Sequence, residues 1–306
     1  MIYTVTLSPA LDYVLRLTYL THEDVNRAEK SEIFYGGKGI NVSVILSRLG
    51  VKNRALGFAA GFTGQELERL LRQDGIETDF VRVAQGMTRI NVKIFAQQQI
   101  DINAPGCDIS PADIDRLHEK LDALQAGDIL VLAGSVPGSV PRDIYERILE
   151  RLQHRQIRFV VDTTGESLQR VLKYRPFLIK PNHHELSELS GVEISAEDEA
   201  GIICQARKLQ RAGARNVLVS RGKYGATLLD ESGGVHTMGI VPGKPVNNVG
   251  CGDSMVAGFL AGYERHGDYL EALRLGSAAG NATAFCEGLA QREEIETILA
   301  NYFTQI

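Results

Sequence analysis

The chain has no unbroken apolar run near the roughly 20 residues that a membrane-spanning helix needs. It also lacks an excess of positive charge: 33 Lys and Arg stand against 38 Asp and Glu, for a net charge of −5. A nucleic acid therefore has no electrostatic reason to be the partner. No Gly-x-x-x-x-Gly-Lys-Ser/Thr occurs, which excludes a Walker-type phosphate loop. No segment completes the Gly-x-Gly-x-x-Gly of dinucleotide folds, so a dehydrogenase is disfavoured. Cysteines are few, at 107, 204, 251 and 286, and form no Cys-x-x-Cys pair. They read as reduced thiols of a cytoplasmic protein, neither a disulfide frame nor a zinc site. Met1 to Leu7 lacks the basic and long apolar parts of a signal peptide and reads as a strand.

What is present is a globular composition, 44% hydrophobic and 23% charged over 306 residues, enough for one large α/β unit or two ordinary ones. The stretch that organises the chain is Val246-Asn247-Asn248-Val249-Gly250-Cys251-Gly252-Asp253-Ser254-Met255. Its glycines allow backbone angles and approaches that a Cβ would block. The apolar spacing through Phe259, Leu260 and Tyr263 is helical, so the turn opens a helix. A helix N-terminus offers unpaired N–H groups and partial positive charge, a setting for phosphate or a developing anion. Asp253 stands where it could take a proton from an attacking hydroxyl. An ordinary N-cap is the competing reading, and the rest of the chain has to decide.

A second glycine turn, Gly36-Gly37-Lys38-Gly39-Ile40-Asn41-Val42-Ser43, opens another helix with Val42, Ile45, Leu46 and Leu49 on one face. Strands are expected at Arg54–Ala59, Ile129–Ala133, Phe159–Val161, Phe177–Ile179 and Asn216–Ser220, with a hairpin over Thr227–Leu229 and the segment after Gly234. The run Ile129–Ala133 is apolar throughout, as in a strand covered on both faces. Helices are expected at 64–74, after the Ser110-Pro111 cap, at 141–155 and 195–212, and then from Gly252 to the C-terminus in three pieces. This alternation argues a mostly parallel sheet between two helical layers. Thr88-Arg89-Ile90-Asn91-Val92-Lys93-Ile94 alternates strictly, which predicts a strand whose wet face carries Arg89, Asn91 and Lys93. With the segments near 12–20 and 29–35, it does not fit a covered sheet. One domain over 1–306 is expected, with a small β-lid built from about 12–36 and 88–102.

The two glycine turns, in this order and spacing, resemble the two signatures of the ribokinase-like (PfkB) sugar kinases, and the resemblance covers the whole chain. Thr6–Asp12, Thr88–Ile94 and Ile102-Asn103-Ala104-Pro105-Gly106 resemble its phosphosugar branch, whose members act on fructose 1-phosphate or tagatose 6-phosphate. The resemblance implies a three-layer αβα sandwich with a β-lid. It implies transfer of the ATP γ-phosphate to the C6 hydroxyl of fructose 1-phosphate, giving fructose 1,6-bisphosphate, with Mg2+ as cofactor. Homodimers through paired lids occur among such proteins.

Residue by residue, the resemblance makes Asp253 the catalytic base and the amides of Gly250, Cys251 and Gly252 an anion hole. Cys251 replaces the usual alanine and reads as a spectator thiol. Asp12, Gly37, Asn41 and Asn91 fall among sugar-contacting positions, with Ser8 standing where relatives usually have asparagine. Lys38 and Arg89 look like the pair that binds the phosphate already on the sugar, since two cations suit one dianion. Lys93 and Arg27 are further candidate cations. In Lys180-Pro181-Asn182-His183-His184-Glu185, Glu185 would orient Mg2+ through water, with Lys180 and Asn182 near the nucleotide. His183 and His184 read as loop residues, because zinc would need a third ligand nearby. Ser220, Gly222 and Gly225 resemble the nucleotide-edge loop, and Asn281 falls near the adenine pocket. The contrasting hypothesis is a sugar-phosphate-binding regulator that has lost catalysis.

Overall fold

A computed structural model describes residues 1–246 and 248–303. Asn247 of the second glycine turn and residues 304–306 of the expected C-terminal helix lie outside the described residues. The strands are β1 (Ile2–Thr6), β2 (Ala10–Arg16), β3 (Lys30–Gly36), β4 (Asn53–Ala60), β5 (Glu77–Thr78), β6 (Val81–Val83) and β7 (Arg89–Phe95). They continue as β8 (Gln99–Ile102), β9 (Ile129–Ala133), β10 (Arg158–Asp162), β11 (Leu178–Ile179), β12 (Asn216–Ser220), β13 (Ala226–Leu229) and β14 (Val235–Met238). The first five helices are α1 (Lys38–Arg48), α2 (Gly61–Gln73), α3 (Pro111–Leu121), α4 (Ile144–Leu152) and α5 (Gly165–Val171). Then come α6 (His183–Ser190), α7 (Glu199–Arg211), α8 (Cys251–His266), α9 (Tyr269–Ala284) and α10 (Arg292–Ile298).

The central sheet has the order β14-β13-β12-β11-β10-β9-β1-β4-β5, with β6 paired to β4. It is parallel from β12 to β5, and the hairpin β13–β14 is its antiparallel edge. Alternation along β9 explains the layers. Leu130 and Leu132 face a core shared with Leu117, Ile148, Leu168 and Ile202 of one helical layer. Ile129 and Val131 face Val42, Ile45, Phe259 and Leu273 of the other. Both faces are thus covered, as the unbroken apolar run implied. A fold of this kind presents its loops at the carboxyl ends of the strands, where ligands bind.

Several boundaries differ from the sequence reading. The helix expected from Ser195 starts at Glu199, because the Asp198 side chain accepts from the Gly201 amide and caps it there. That expected from Pro141 starts at Ile144, while α2 begins at Gly61, three residues before Gly64. Helices α5 and α6 are too short to show a clear period and were not anticipated.

The second sheet has the order β3-β2-β7-β8 and comes from the two segments expected for the lid. The polar face expected on β7 is the one turned to the cleft. By register, Asp12, Asn91 and Asp101 share one face with Arg89 and Lys93, and that face borders the cleft. Asn91 is 6% exposed. The apolar alternates Ile33, Ile100 and Ile102 lie on the other face, 50%, 39% and 53% exposed. Alternation defines two faces and does not say which one is covered.

Candidate active site

A cavity of about 530 Å³ opens where the carboxyl ends of β1, β9 and β10 meet the second sheet. Its lining joins both glycine turns: Gly37, Lys38 and Asn41 from one, Gly250, Gly252 and Asp253 from the other. Asp12, Arg89 and Asn91 enter from the second sheet, and Lys180 and Glu185 from the segment after β11.

Two positive backbone angles position the turns. Gly250 caps α8 at φ 82, where a Cβ would lie 2.6 Å from Leu289 Cδ2. Gly37 caps α1 at φ 127, where a Cβ would lie 2.7 Å from Thr6 Cγ2. Only glycine fits either place without strain. The turn at Gly250 begins α8, so the first amides of that helix, which have no intrahelical acceptors, belong to a turn that lines the cleft. Lys180 Nζ approaches within 3.0 Å of where a Gly252 Cβ would stand, adding a cation to this end.

Asp253 is buried, and its Oδ2 accepts from Asn41 Nδ2 at 2.8 Å. Burial, reinforced by the Asp162 carboxylate, pushes its pKa up to about 6, against the opposing pull of Lys38, Asn41 and Lys180. It is a carboxylate at neutral pH, yet far more basic than an exposed one. Asp162, the last residue of β10, is itself buried between two ammonium groups. Lys38 Nζ lies 3.3 Å from its Oδ2, and Lys180 Nζ 3.4 Å from its Oδ1. Burial alone would lower the Lys38 pKa, but Asp162, Asp253 and Glu185 outweigh it and hold it above its usual value. Sequence reading missed Asp162. The available signal was an acid closing an otherwise apolar strand at the carboxyl edge of a parallel sheet.

In the same lining, Asp12 is held by Asn91 Nδ2 at 2.8 Å and Lys93 Nζ at 2.9 Å. Lys93 therefore has a defined partner. Arg89 Nη2 donates to the Ser8 carbonyl at 3.2 Å, and its buried Nε has no partner. Burial lowers the Arg89 pKa, with only Asp12 opposing, so this guanidinium is left short of negative charge. Lys38 and Arg89 have different neighbours: Lys38 joins the carboxylates around Asp253, Arg89 the Ser8–Asp12 end. Arg27 does not line the cavity.

Not every expected site residue reaches the cavity. Asn182 and Glu185 form a capping box on α6, with Glu185 N donating to Asn182 Oδ1 at 2.9 Å and Asn182 N to Glu185 Oε2 at 2.8 Å. Glu185 still borders the cavity while Asn182 does not. Ser220 follows on the next strand end, bridged to Asn182, with Gly222 (φ 56) and Gly225 (φ 83) in the turn beyond it. Asn281 accepts from Val241 N at 2.9 Å and so ties the segment after β14 to α9. These four lie outside the lining. Burial and Asp253 push the Cys251 thiol up to about 11, so it stays protonated at neutral pH. The His183 and His184 rings lie tilted against each other, centroids 3.9 Å apart, and burial lowers the His183 pKa.

A three-layer αβα body, with a buried acid at a glycine-opened helix under a second sheet, defines a sugar-phosphorylating kinase. The chain belongs to the pfkB family of carbohydrate kinases, which it matches over residues 5–296. It is 44% identical to the 1-phosphofructokinase of Bacillus subtilis, over 98% of this chain and 97% of that one. It is 38% identical to the D-tagatose-1-phosphate kinase of Bacillus licheniformis, over 97% and 96%. Among solved structures, phosphofructokinase-2 of Escherichia coli with substrates and products matches at TM-score 0.93 and 30% identity, over 98% and 99%. That E. coli protein also has a tetrameric inhibited form. Among the described residues, no helix is long and apolar enough to cross a membrane.

Proposed function

We propose that this kinase transfers the γ-phosphoryl group of ATP to the C6 hydroxyl of fructose 1-phosphate, giving fructose 1,6-bisphosphate. The observation that carries the reading is the placing of a basic, buried Asp253 and an under-neutralised Arg89 on the lining of one cavity. A phosphosugar needs a base at its free hydroxymethyl and a cation at its phosphate. The 1-phosphofructokinase name of the Bacillus subtilis relative supports the choice of sugar.

In this reading Arg89 takes the 1-phosphate and Asp12 accepts from ring hydroxyls, held in place by Asn91 and Lys93. Asn41 and Gly37 bound the sugar beside Asp253. Asp253 accepts the C6 hydroxyl proton as the oxygen attacks phosphorus. The amides of Gly250, Cys251 and Gly252 and the ammonium of Lys38 face the charge on the moving group. Lys180, with Asn182, Ser220, Gly222, Gly225 and Asn281 along the neighbouring strand ends, serves the nucleotide. Glu185 borders the cleft and its carboxylate is a hard oxygen donor that would suit Mg2+ held through water. When bound, that ion neutralises phosphate charge.

The second sheet acts as a lid, and the exposed isoleucines on its outer face support a homodimer through it. A cytoplasmic setting fits these soluble substrates. The tagatose-handling relative is named for the 1-phosphate rather than the 6-phosphate, so tagatose 1-phosphate is the alternative sugar. ADP release with ATP, Mg2+ and fructose 1-phosphate is the expected result. Binding of the sugar phosphate without ADP formation would favour the non-catalytic regulator.

A further inference from the structure

Far from the cleft, a groove of about 560 Å³ runs among α5, α6 and α7. Leu172, Leu186, Leu189 and Leu209 give it an apolar wall. Gln205 lies in that wall, only 8% exposed, and its Oε1 has no hydrogen-bond partner. An unpaired buried amide costs about 1–3 kcal/mol, and folded proteins keep few of them.

The groove adjoins a second cavity of about 690 Å³, because Lys173 and Ala212 line both. This one is basic. Arg175, Arg207 and Arg211 line it, and none forms an ion pair among the described residues. Its two acids are already engaged. Asp230 accepts from Ser232, Gly234 and His236, and Glu231 from Arg215 and Tyr269. Arg207 and Arg211 are one turn apart on α7, an arrangement that weakens a helix unless an anion is near. The helix dipole favours Arg211 at the last turn, but it does not account for Arg175. That residue holds a left-handed φ of 53, uncommon without glycine. Arg175 and Arg215 precede β11 and β12, so this cavity lies at the opposite strand ends from the active cleft and shares no lining residue with it.

We propose that the two adjoining cavities form a second ligand site, for a nucleoside polyphosphate. Its base occupies the leucine-lined groove with a hydrogen-bonding edge against the Gln205 amide. Its phosphates lie among Arg175, Arg207 and Arg211. An acyl chain would leave Gln205 unpaired, and a bare polyphosphate would leave the apolar groove empty. Only a flat body with polar edges and several negative charges satisfies both halves.

Calorimetric titration of the full-length chain with ADP, and separately with pyrophosphate, tests this. The wild type is expected to bind ADP at two sites. The triple variant Arg175→Ala/Arg207→Ala/Arg211→Ala is expected to lose one of them while keeping its kcat, which also shows that it folds. Gln205→Leu is expected to weaken ADP at that site at least about 5-fold and to leave pyrophosphate unchanged, one lost hydrogen bond being about 1 kcal/mol. A stoichiometry that the triple variant does not reduce overturns the proposal. So does a Gln205→Leu variant that binds ADP as tightly as wild type, which would reduce the site to a polyanion patch. A wild type with a single site that the triple variant abolishes leaves this proposal standing and counts against the nucleotide role of the active cleft.

Discussion

The Asn41 amide donates to the Asp253 carboxylate across 2.8 Å, joining the first turns of two glycine-opened helices 212 residues apart in the chain. This contact fixes the acid's orientation and lowers its pKa, while burial and Asp162 raise it to about 6. The site is poised as a base by that balance.

The kcat of the wild type should therefore fall as pH drops through about 6, where Asp253 takes up a proton. Asn41→Ala removes a contribution that lowers the pKa, so the acid limb should move to higher pH. Asp253→Asn should cut kcat by about 10²–10⁴, the usual worth of a general base, with sugar affinity nearly kept. A pH–kcat profile of the three proteins checks this, and an unmoved limb in Asn41→Ala would contradict it.

The same shift has a stability consequence. The folded-state pKa is raised from 3.8 to about 6, so the native protein binds the proton more tightly than the unfolded chain. Stability is then lost as pH rises from about 4 to about 6. Asp253→Asn escapes that loss. It should unfold at higher denaturant than wild type at pH 7.5, by about 3 kcal/mol at most, with the difference vanishing near pH 4. Urea titrations at the two pH values give the answer.

Lys38 and Arg89 should separate in kinetics. Arg89→Ala should raise KM for the sugar phosphate by about 10–100-fold, the range for a hydrogen bond to a charged group. Lys38→Ala should mainly lower kcat, since Lys38 sits with Asp162, Asp253 and Glu185. Equal rises in KM with kcat intact would restore the two residues as one phosphate clamp.

How legible this was in the sequence depended on the range of the rule. Glycine turns before helical periods are local, so Gly37–Asn41 and Gly250–Asp253 stood out. So did β9, whose apolar run needs covering on both sides. Alternation marked the polar face of β7, and the pairing with β2 sets Arg89, Asn91 and Lys93 on the face that carries Asp12. Asp162 carries only a weak local mark, an acid closing an apolar strand, and its importance arises when Lys38 and Lys180 converge on it from distant segments. The Asn182–Glu185 spacing was seen, but its capping-box geometry belongs to a helix too short to recognise.

Gly250→Ala should be costly. A left-handed alanine loses about 1–2 kcal/mol, and its Cβ would meet Leu289 at 2.6 Å. We expect a lower melting temperature together with a loss of kcat. Adding Leu289→Ala should relieve the clash without restoring the full wild-type stability, because the backbone strain remains.

The outer face of the second sheet makes a further prediction. Ile33→Glu with Ile102→Glu places charge on exposed apolar positions and should leave the fold intact while shifting a dimer to monomer. Sedimentation or light scattering reads this. An unchanged assembly state would move the interface elsewhere.

The most direct test compares kcat/KM with ATP for fructose 1-phosphate, tagatose 1-phosphate and fructose 6-phosphate in one assay. The account predicts a clear preference for fructose 1-phosphate, with fructose 1,6-bisphosphate as the product. A preference for fructose 6-phosphate, or no turnover of any of the three, would contradict it.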